Sequence, residues 1–314
     1  MSETAALPGL PKRPLGKTGL MADPLCVGTG PLSSLPHAFG YEVGREQALA
    51  TLRAVFAGPI RFLDTSNGYG DGRSEEYIGI VRREMGGYPP DFLISTKADR
   101  DMKTGDFSGD RMRRSVEESQ QRLGMDRFPL FFLHDPEHAP FEYITAKGGA
   151  LDALLKLRDE GVIEHLGVAG GPIDLLMRYV ETGAFEAVLT HNRYNLLTRE
   201  AEPLLQLAHE RGLAILNAAP YGSGILAKGP SVYGRFRYQP APPEIMERAR
   251  QLEAICARHG VPLAAAALQF SLRDPRISST VVGITHPIRV AQTVALARFP
   301  APEEMWEEIE QAIK

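Results

Sequence analysis

The residues best suited to chemistry in this chain begin with Asp64 and Tyr69, in the stretch 60–79, IRFLDTSNGYGDGRSEEYIG. A short apolar run, Ile60, Phe62 and Leu63, stops on the carboxylate of Asp64. A turn rich in glycine follows (Gly68, Gly70, Gly72), with Tyr69 inside it. Ser74 stands where a helix N-cap belongs, with Glu75 and Glu76 in the first turn. The pattern reads as strand, loop, helix, with an acid at the strand's end and a phenol across a tight loop. That is a candidate acid–base pair, because catalytic groups in parallel α/β proteins sit at the C-terminal ends of strands. The plainer alternative is a capping aspartate and a turn tyrosine.

The elements that position these groups alternate strand and helix along the whole chain. Strands are expected at 25–29, 60–64, 92–96, 128–133, 164–169, 187–190, 214–217 and 279–282. Helices are expected at 45–56, from Ser74 to about Met85, 108–123, 149–160, 173–181, 201–211, 243–259, 262–272 and 287–297. Ser115, Ser119 and the arginines of the third helix fall on its polar side. A turn-rich stretch at 14–23 reads as a small hairpin before the main fold, and 1–12 as a loose leader. The insert 220–243, rich in Gly, Tyr and Pro, reads as an irregular functional loop. The tail PEEMWEEIEQAIK is amphipathic and expected to pack on the outside. Eight strands alternating with helices fit an α/β fold of the (β/α)8 TIM-barrel type, with an N-terminal hairpin and a long loop after strand seven. No G-x-G-x-x-G follows the first strand, which counts against a doubly wound sheet. With no linker and no low-complexity segment, residues 1–314 read as one domain.

In such a barrel the strand ends share one rim. Asp64 ends strand two, Lys97 strand three and His134 strand four, and Tyr69 lies just beyond Asp64. Lys97 alone reads as a solvated strand end and His134 alone as a satisfied barrel-top histidine. All four at consecutive strand ends converge on a single mouth, and the set carries more weight than any member.

Composition bounds the partners. The formal net charge of −4 argues against nucleic acid and anionic membranes. No apolar run approaches the roughly 20 residues of a membrane span, and the first residues lack the basic region and apolar core of a signal peptide. Cys26 and Cys256 both lie in apolar surroundings, expected as buried free thiols. A cytoplasmic protein, a monomer or small homo-oligomer acting on a small molecule and without a metal, is the expectation.

At this point the sequence resembles the aldo-keto reductase superfamily over roughly 13–298. LDTSNGYG carries Asp64 and Tyr69, ISTK carries Lys97 and FFLHD carries His134, and RPLGKTGLMADPLCVGTG and APYGSGIL are also similar to that family. YGDGRSEEYIG and HNRYNLL look most like its bacterial aldose dehydrogenase branch, which includes L-fucose, D-threo-aldose and galactose dehydrogenases and a pyridoxal dehydrogenase. The resemblance implies hydride transfer between a nicotinamide and a carbonyl or alcohol carbon. A phenol with a pKa of about 10 needs help to move a proton at neutral pH. Lys97 would favour phenolate by its charge, Asp64 would hold Lys97, and a neutral His134 would orient the reacting oxygen.

For the cofactor the resemblance implies contacts from Ala169 and His191, where the family often carries Ser-Asn and Gln. It implies further contacts from Pro220, Tyr221, Gly222, Ser223 and Gly224, and from Gly283, Thr285, Arg289 and Gln292. Ala218 takes the place of the usual aromatic that stacks on the nicotinamide, and Tyr221 is the expected substitute. Glycines at 222 and 224 suit close approach of backbone amides to a pyrophosphate. Gly283 stands where members preferring NADP often carry lysine, so NAD is expected, with NADP possible. The alternatives are a pyridoxal dehydrogenase or general aldehyde reductase, and, from another class, a nucleotide-binding regulatory subunit on the same barrel.

Overall fold

The computed structural model describes residues 9–313. The eight strands of its barrel are β1 Leu25–Gly28, β2 Phe62–Asp64, β3 Leu93–Ala98, β4 Phe128–His134, β5 Ile163–Gly170, β6 Ala187–His191, β7 Ala214–Ala218 and β8 Ser279–Gly283. They pair in sequence order, all parallel, and β8 returns to β1 to close the barrel. The expected (β/α)8 architecture is therefore the observed one.

The two-residue period of each strand sorts its side chains. Cys26, Phe62, Leu130, Phe132, Ala187, Leu189, Ala214, Leu216 and Val281 form one apolar cluster inside the barrel. Their neighbours Val27, Leu63, Phe131, Leu133, Val188, Ile215 and Val282 belong to the outer layer shared with the helices. The antiparallel pair Arg13–Pro14 and Met21–Ala22 is the expected hairpin. Its Leu15 and Ala22 join the interior cluster. Packing inside depends on alternating sizes: a Cβ at Gly167 would lie 2.4 Å from the Phe132 ring. Phe132 occupies the space that Gly167 leaves.

Several local expectations change. The helix after β2 is Arg73–Glu84, and its N-cap is Gly72 at φ 90°, not Ser74. Ser74 is buried, with its Oγ donating to Thr29 Oγ1 at 2.8 Å and accepting from Thr65 Oγ1 at 3.0 Å. In the helix Gly109–Leu123, Ser115 and Ser119 are fully buried rather than on an outer polar face. The insert after β7 is structured: it holds the helix Ile225–Lys228 and an antiparallel pair, Arg235–Phe236 with Gln239–Pro240. Of the expected loose leader, Gly9 is tied down by Arg298, whose Nη2 donates to the Gly9 carbonyl at 2.7 Å, and Leu10 packs on the core; 1–8 lie outside the described residues. The tail forms the helix Glu303–Ala312 with Met305, Trp306 and Ile309 buried. Both cysteines are free and buried.

Gly167→Ala tests the size alternation. Forcing a methyl into the Phe132 ring should destabilise the barrel by about 1–3 kcal/mol, read as a lower denaturant midpoint at unchanged m-value.

Candidate active site

Strand register brings the acid–base residues to one rim. Asp64 lies opposite Ser95, Lys97 opposite Phe132, His134 opposite Ala169 and His191 opposite Ala218. Asp64 follows Phe62 by two residues, His134 follows Phe132 and His191 follows Leu189, so each continues the inward row of its strand at the C-terminal end. The rim residues line a mouth of about 310 Å³ that includes Asp64, Tyr69, His134, Asp135, Ala169 and His191.

Lys97 is 1% exposed, and its ammonium makes three contacts: Asp64 Oδ2 at 2.6 Å, the Thr65 carbonyl at 2.5 Å and Tyr69 Oη at 3.3 Å. Ser95 Oγ donates to the other Asp64 oxygen at 2.8 Å. Burial works against the charge on Lys97, but Asp64 and then Tyr69 outweigh it and raise its pKa. Tyr69 departs from expectation. Burial pushes its pKa up and outweighs the downward pull of Lys97, while Asp64 adds to the rise. The ammonium sits closer to Asp64 than to the phenol, so much of its field is already neutralised. The resting group is a phenol.

His134 is held by a residue absent from the expected set. Its Nδ1 lies 2.6 Å from Asp99 Oδ1 and 3.0 Å from Ser66 Oγ. Ser66 Oγ donates to Asp99 Oδ2, which also accepts the Gly68 amide at 2.6 Å. With both neighbours of Nδ1 accepting, the proton belongs on Nδ1, and Nε2 faces the mouth. Burial lowers the His134 pKa, but Asp135 and Asp99 overcome it, so the net direction is up, not toward the neutral ring expected. Asp99 is itself lowered: burial raises it, and His134, Ser66 and Gly68 together prevail. The imidazole meets the Tyr69 ring edge-on, 5.6 Å between centroids at 80°. A signal for Asp99 was present, since it follows Lys97 by two residues on the inward parity of β3.

The turn carrying Tyr69 is anchored from behind. Asn67 Nδ2 donates to the Ser115 carbonyl at 3.1 Å and to Glu118 Oε2 at 3.0 Å, and Arg111 Nη2 donates to Asn67 Oδ1 at 2.9 Å. Gly68 is glycine for a physical reason: a Cβ there would lie 2.7 Å from the Asp99 carboxyl carbon. The polar side of the helix Gly109–Leu123 thus holds the turn, through the Ser115 carbonyl and the Arg111 and Glu118 side chains.

A second cleft, of about 280 Å³, adjoins the mouth and shares Pro31, Phe39, Ala219, Tyr238 and Gly283 with it. Of the residues expected at the cofactor, Pro220, Tyr221, Ser223, Gly224, Thr285 and Arg289 line this cleft. Gly222 is buried and points toward Leu197, Ile225 and Phe236, and Gln292 is exposed away from the lining. Residues 222, 223 and 224 all have positive φ (55°, 63°, 111°). The amides of Gly222 and Gly224 donate within the turn, to the Ala219 and Tyr221 carbonyls at 3.0 and 2.9 Å, so these two amides serve the turn rather than a ligand. Two residues were missed. Lys228 adds a second cation beside Arg289, over the Tyr233 ring at 4.3 Å. Tyr238, not Tyr221, is the aromatic at the mouth, edge-on to Phe39 at 5.7 Å and 6.3 Å from His191. An aromatic groove with cations at one end, leading into an acid–base mouth, fits a nicotinamide dinucleotide. Among the described residues no group of His, Cys, Asp and Glu could hold a metal ion, and no helix is long and apolar enough to cross a membrane.

The Aldo/keto reductase family model matches residues 24–314. The chain is 33% identical to a pyridoxal 4-dehydrogenase of Microbacterium luteolum, over 94% of this chain and 95% of that one. It is 33% identical to a D-threo-aldose 1-dehydrogenase of a Pseudomonas species (85% and 88% covered) and 30% identical to an L-galactose dehydrogenase of Arabidopsis thaliana (90% and 86%). Among solved structures, an aldo-keto reductase from Bacillus halodurans in its holo form superposes with a TM-score of 0.76 over 97% of both chains, at 20% identity.

Asp99→Asn tests the histidine's anchor. Removing that charge should lower the His134 pKa, so any limb of activity lost as pH rises through the His134 pKa should move to lower pH. Rate should fall about tenfold or more, as for loss of a charge-assisted hydrogen bond. An unmoved pH profile would show that the contact does not tune the imidazole.

Proposed function

The chain belongs to the aldo/keto reductase family, and on that premise we propose that it is an NAD(P)-dependent aldose 1-dehydrogenase with Tyr69 as its proton-transfer group. The observation that carries this reading is Lys97, buried between Asp64 and Tyr69 with the His134 ring against the phenol. A bound nicotinamide would take up or return the hydride. The reacting oxygen sits between Tyr69 Oη and His134 Nε2. In carbonyl reduction the resting phenol is already the acid that protonates this oxygen. In alcohol oxidation Tyr69 first gives up its proton to solvent, Lys97 at 3.3 Å stabilises the phenolate so formed, and that phenolate then accepts the alcohol proton. Asp64 keeps the ammonium in place, and Asp99 keeps Nε2 aimed at the oxygen.

The second cleft would hold the cofactor, with Tyr238, which it shares with the mouth, toward the nicotinamide and Arg289 and Lys228 available to its anionic groups. Ala169 and His191 line the mouth within reach of a carboxamide. NAD is the proposed cofactor, with NADP accepted. Gly283 offers no side chain, and a Cβ there would meet Pro31 Cγ at 3.0 Å, so that corner has little room for a lysine stem. A regulatory role without turnover is disfavoured by the complete set of proton-transfer groups. A second reading, a pyridoxal-type aromatic alcohol as substrate, draws on the facing rings of Phe39 and Tyr238 in the mouth. The cytoplasm is the proposed compartment. NAD and NADP reduction assayed against aldoses, pyridoxal and simple aldehydes separates the substrates; no turnover of any aldose would end the first reading.

Tyr69→Phe should lower kcat about 10²–10⁴-fold with cofactor affinity nearly unchanged, and a variant keeping a third of the wild-type rate would remove Tyr69 from the role. The resting phenol has a raised pKa, so oxidation should rise with pH into the alkaline range. Lys97→Met should shift that limb higher still.

Arg289→Ala and Lys228→Ala test the anionic end. Each charged contact to a phosphate is worth roughly 1.5–3 kcal/mol, so whichever cation meets the extra phosphate of NADP should, when removed, weaken NADP at least tenfold more than NAD. Equal losses for both cofactors would place the cations on the shared pyrophosphate instead.

A further inference from the structure

Beside His134 the mouth holds a second carboxylate, which acts on the imidazole by its charge and makes no hydrogen bond to it. Asp135 directly follows His134 and takes a left-handed backbone conformation, φ 42°, which few residues other than glycine, asparagine and aspartate adopt. Its amide donates to the Ala169 carbonyl at 2.8 Å and its carbonyl accepts from the His138 amide at 3.2 Å, so the backbone is fixed on both sides. The side chain lines the mouth and is 30% exposed. Its Oδ1 is buried and accepts no hydrogen bond. The same oxygen stands 3.6 Å from His134 Nε2, beyond hydrogen-bond length. A buried carboxylate oxygen without a donor is costly unless something supplies one.

We infer that Asp135 is a specificity-determining residue that accepts a hydrogen bond from a substrate hydroxyl on the carbon next to the reacting carbon. This rests on the placement of the reacting oxygen between Tyr69 and His134. Nε2 addresses that oxygen, and the exposed part of the Asp135 carboxylate lines the same mouth beside it. With Oδ1 3.6 Å from Nε2, the carboxylate and the imidazole are neighbours, and a substrate with oxygens on adjacent carbons can meet Nε2 with one and the exposed part of the carboxylate with the other. Asp135 is an acceptor only, so it selects a donor: a 2-hydroxyaldehyde or an aldose with its C2 hydroxyl. A simple aldehyde leaves the carboxylate unpaired, and a site built around such a contact discriminates strongly against the analogue lacking it. The preferred substrate class is therefore the α-hydroxy carbonyl compounds and the sugars that carry this unit.

A cycle between the residue and the substrate group tests the contact. Wild type, Asp135→Asn and Asp135→Gly are assayed with lactaldehyde against propanal in reduction, and with galactose against 2-deoxygalactose in oxidation. Asparagine and glycine both accept the positive φ, so the loop should be kept, and thermal melting of each variant checks the fold. Wild type should favour the hydroxylated member of each pair about tenfold to a hundredfold in kcat/KM, the range of one hydrogen bond to a charged group. In Asp135→Gly that preference should collapse to within about threefold. A wild-type preference that survives both substitutions overturns the inference, as does a wild type that shows none. If the aldehyde pair shows the coupling but neither sugar is turned over, the aldose reading fails and the role of Asp135 stands. If sugars are oxidised without coupling in either pair, the aldose reading stands and this inference falls.

Discussion

The structure depends most on one buried ion pair, Lys97 with Asp64, at the end of the barrel's inward rows. Both side chains are nearly inaccessible, at 1% and 4% exposed. Desolvating two charges is expensive, and a buried pair is seldom the cheapest way to fill a core; leaving one partner alone typically costs about 3–5 kcal/mol. Its value here is placement. Ser95 and the Thr65 carbonyl complete the pair's hydrogen bonding, so the ammonium has one orientation, and Tyr69 meets a cation that cannot turn away. The pair also sets a limit on that cation: a lysine so well matched to Asp64 cannot hold the resting phenol ionised, and it helps only as charge builds on the oxygen.

The second buried contact, Asp99 with His134, works in the opposite sense. It biases an imidazole toward its charged form and fixes which nitrogen faces the mouth. The same carboxylate receives Ser66 Oγ and the Gly68 amide, both from the turn that carries Tyr69. Phenol and imidazole are thereby located by one shared acceptor. The turn is tied in addition to the helix Gly109–Leu123 through Asn67, Arg111 and Glu118. The 5.6 Å spacing of the two rings follows from these anchors as well as from the barrel.

Much of this was legible in the sequence, for a definite reason. Strand ends are marked by abrupt changes from apolar to polar, and parallel strands of a barrel deliver such ends to one rim, so Asp64, Lys97 and His134 declared themselves. The helix face with Ser115, Ser119 and Arg111 did not, because periodicity separates polar from apolar and cannot separate a solvent face from a polar face packed on a buried turn. Ser74 looked like a cap because serine caps helices well; left-handed Gly72 took the place. The shifts of Tyr69 and His134 depend on distances and burial that no spacing encodes. Tyr238 and Lys228 were hidden in an insert whose composition announces turns and says nothing about which residues return to the cleft.

The division of labour in the barrel follows from these differences. The groups proposed to move the proton come from β2, β3 and β4 and the short turn after β2, where neighbouring strands and buried hydrogen bonds leave little freedom. The second cleft is lined largely by the connections after β7 and β8, where Ser223 is fixed to Asn192 and to the Tyr238 amide by single hydrogen bonds at 3.3 and 3.0 Å. Such contacts are individually weak, about 0.5–1.5 kcal/mol each, and a surface hairpin can change its residues without disturbing the strands beneath. Asp135 belongs to the rigid side by its place beside His134, but it lines the mouth. A group in that position can discriminate among substrates with the accuracy of the catalytic residues, because the same strand end holds both.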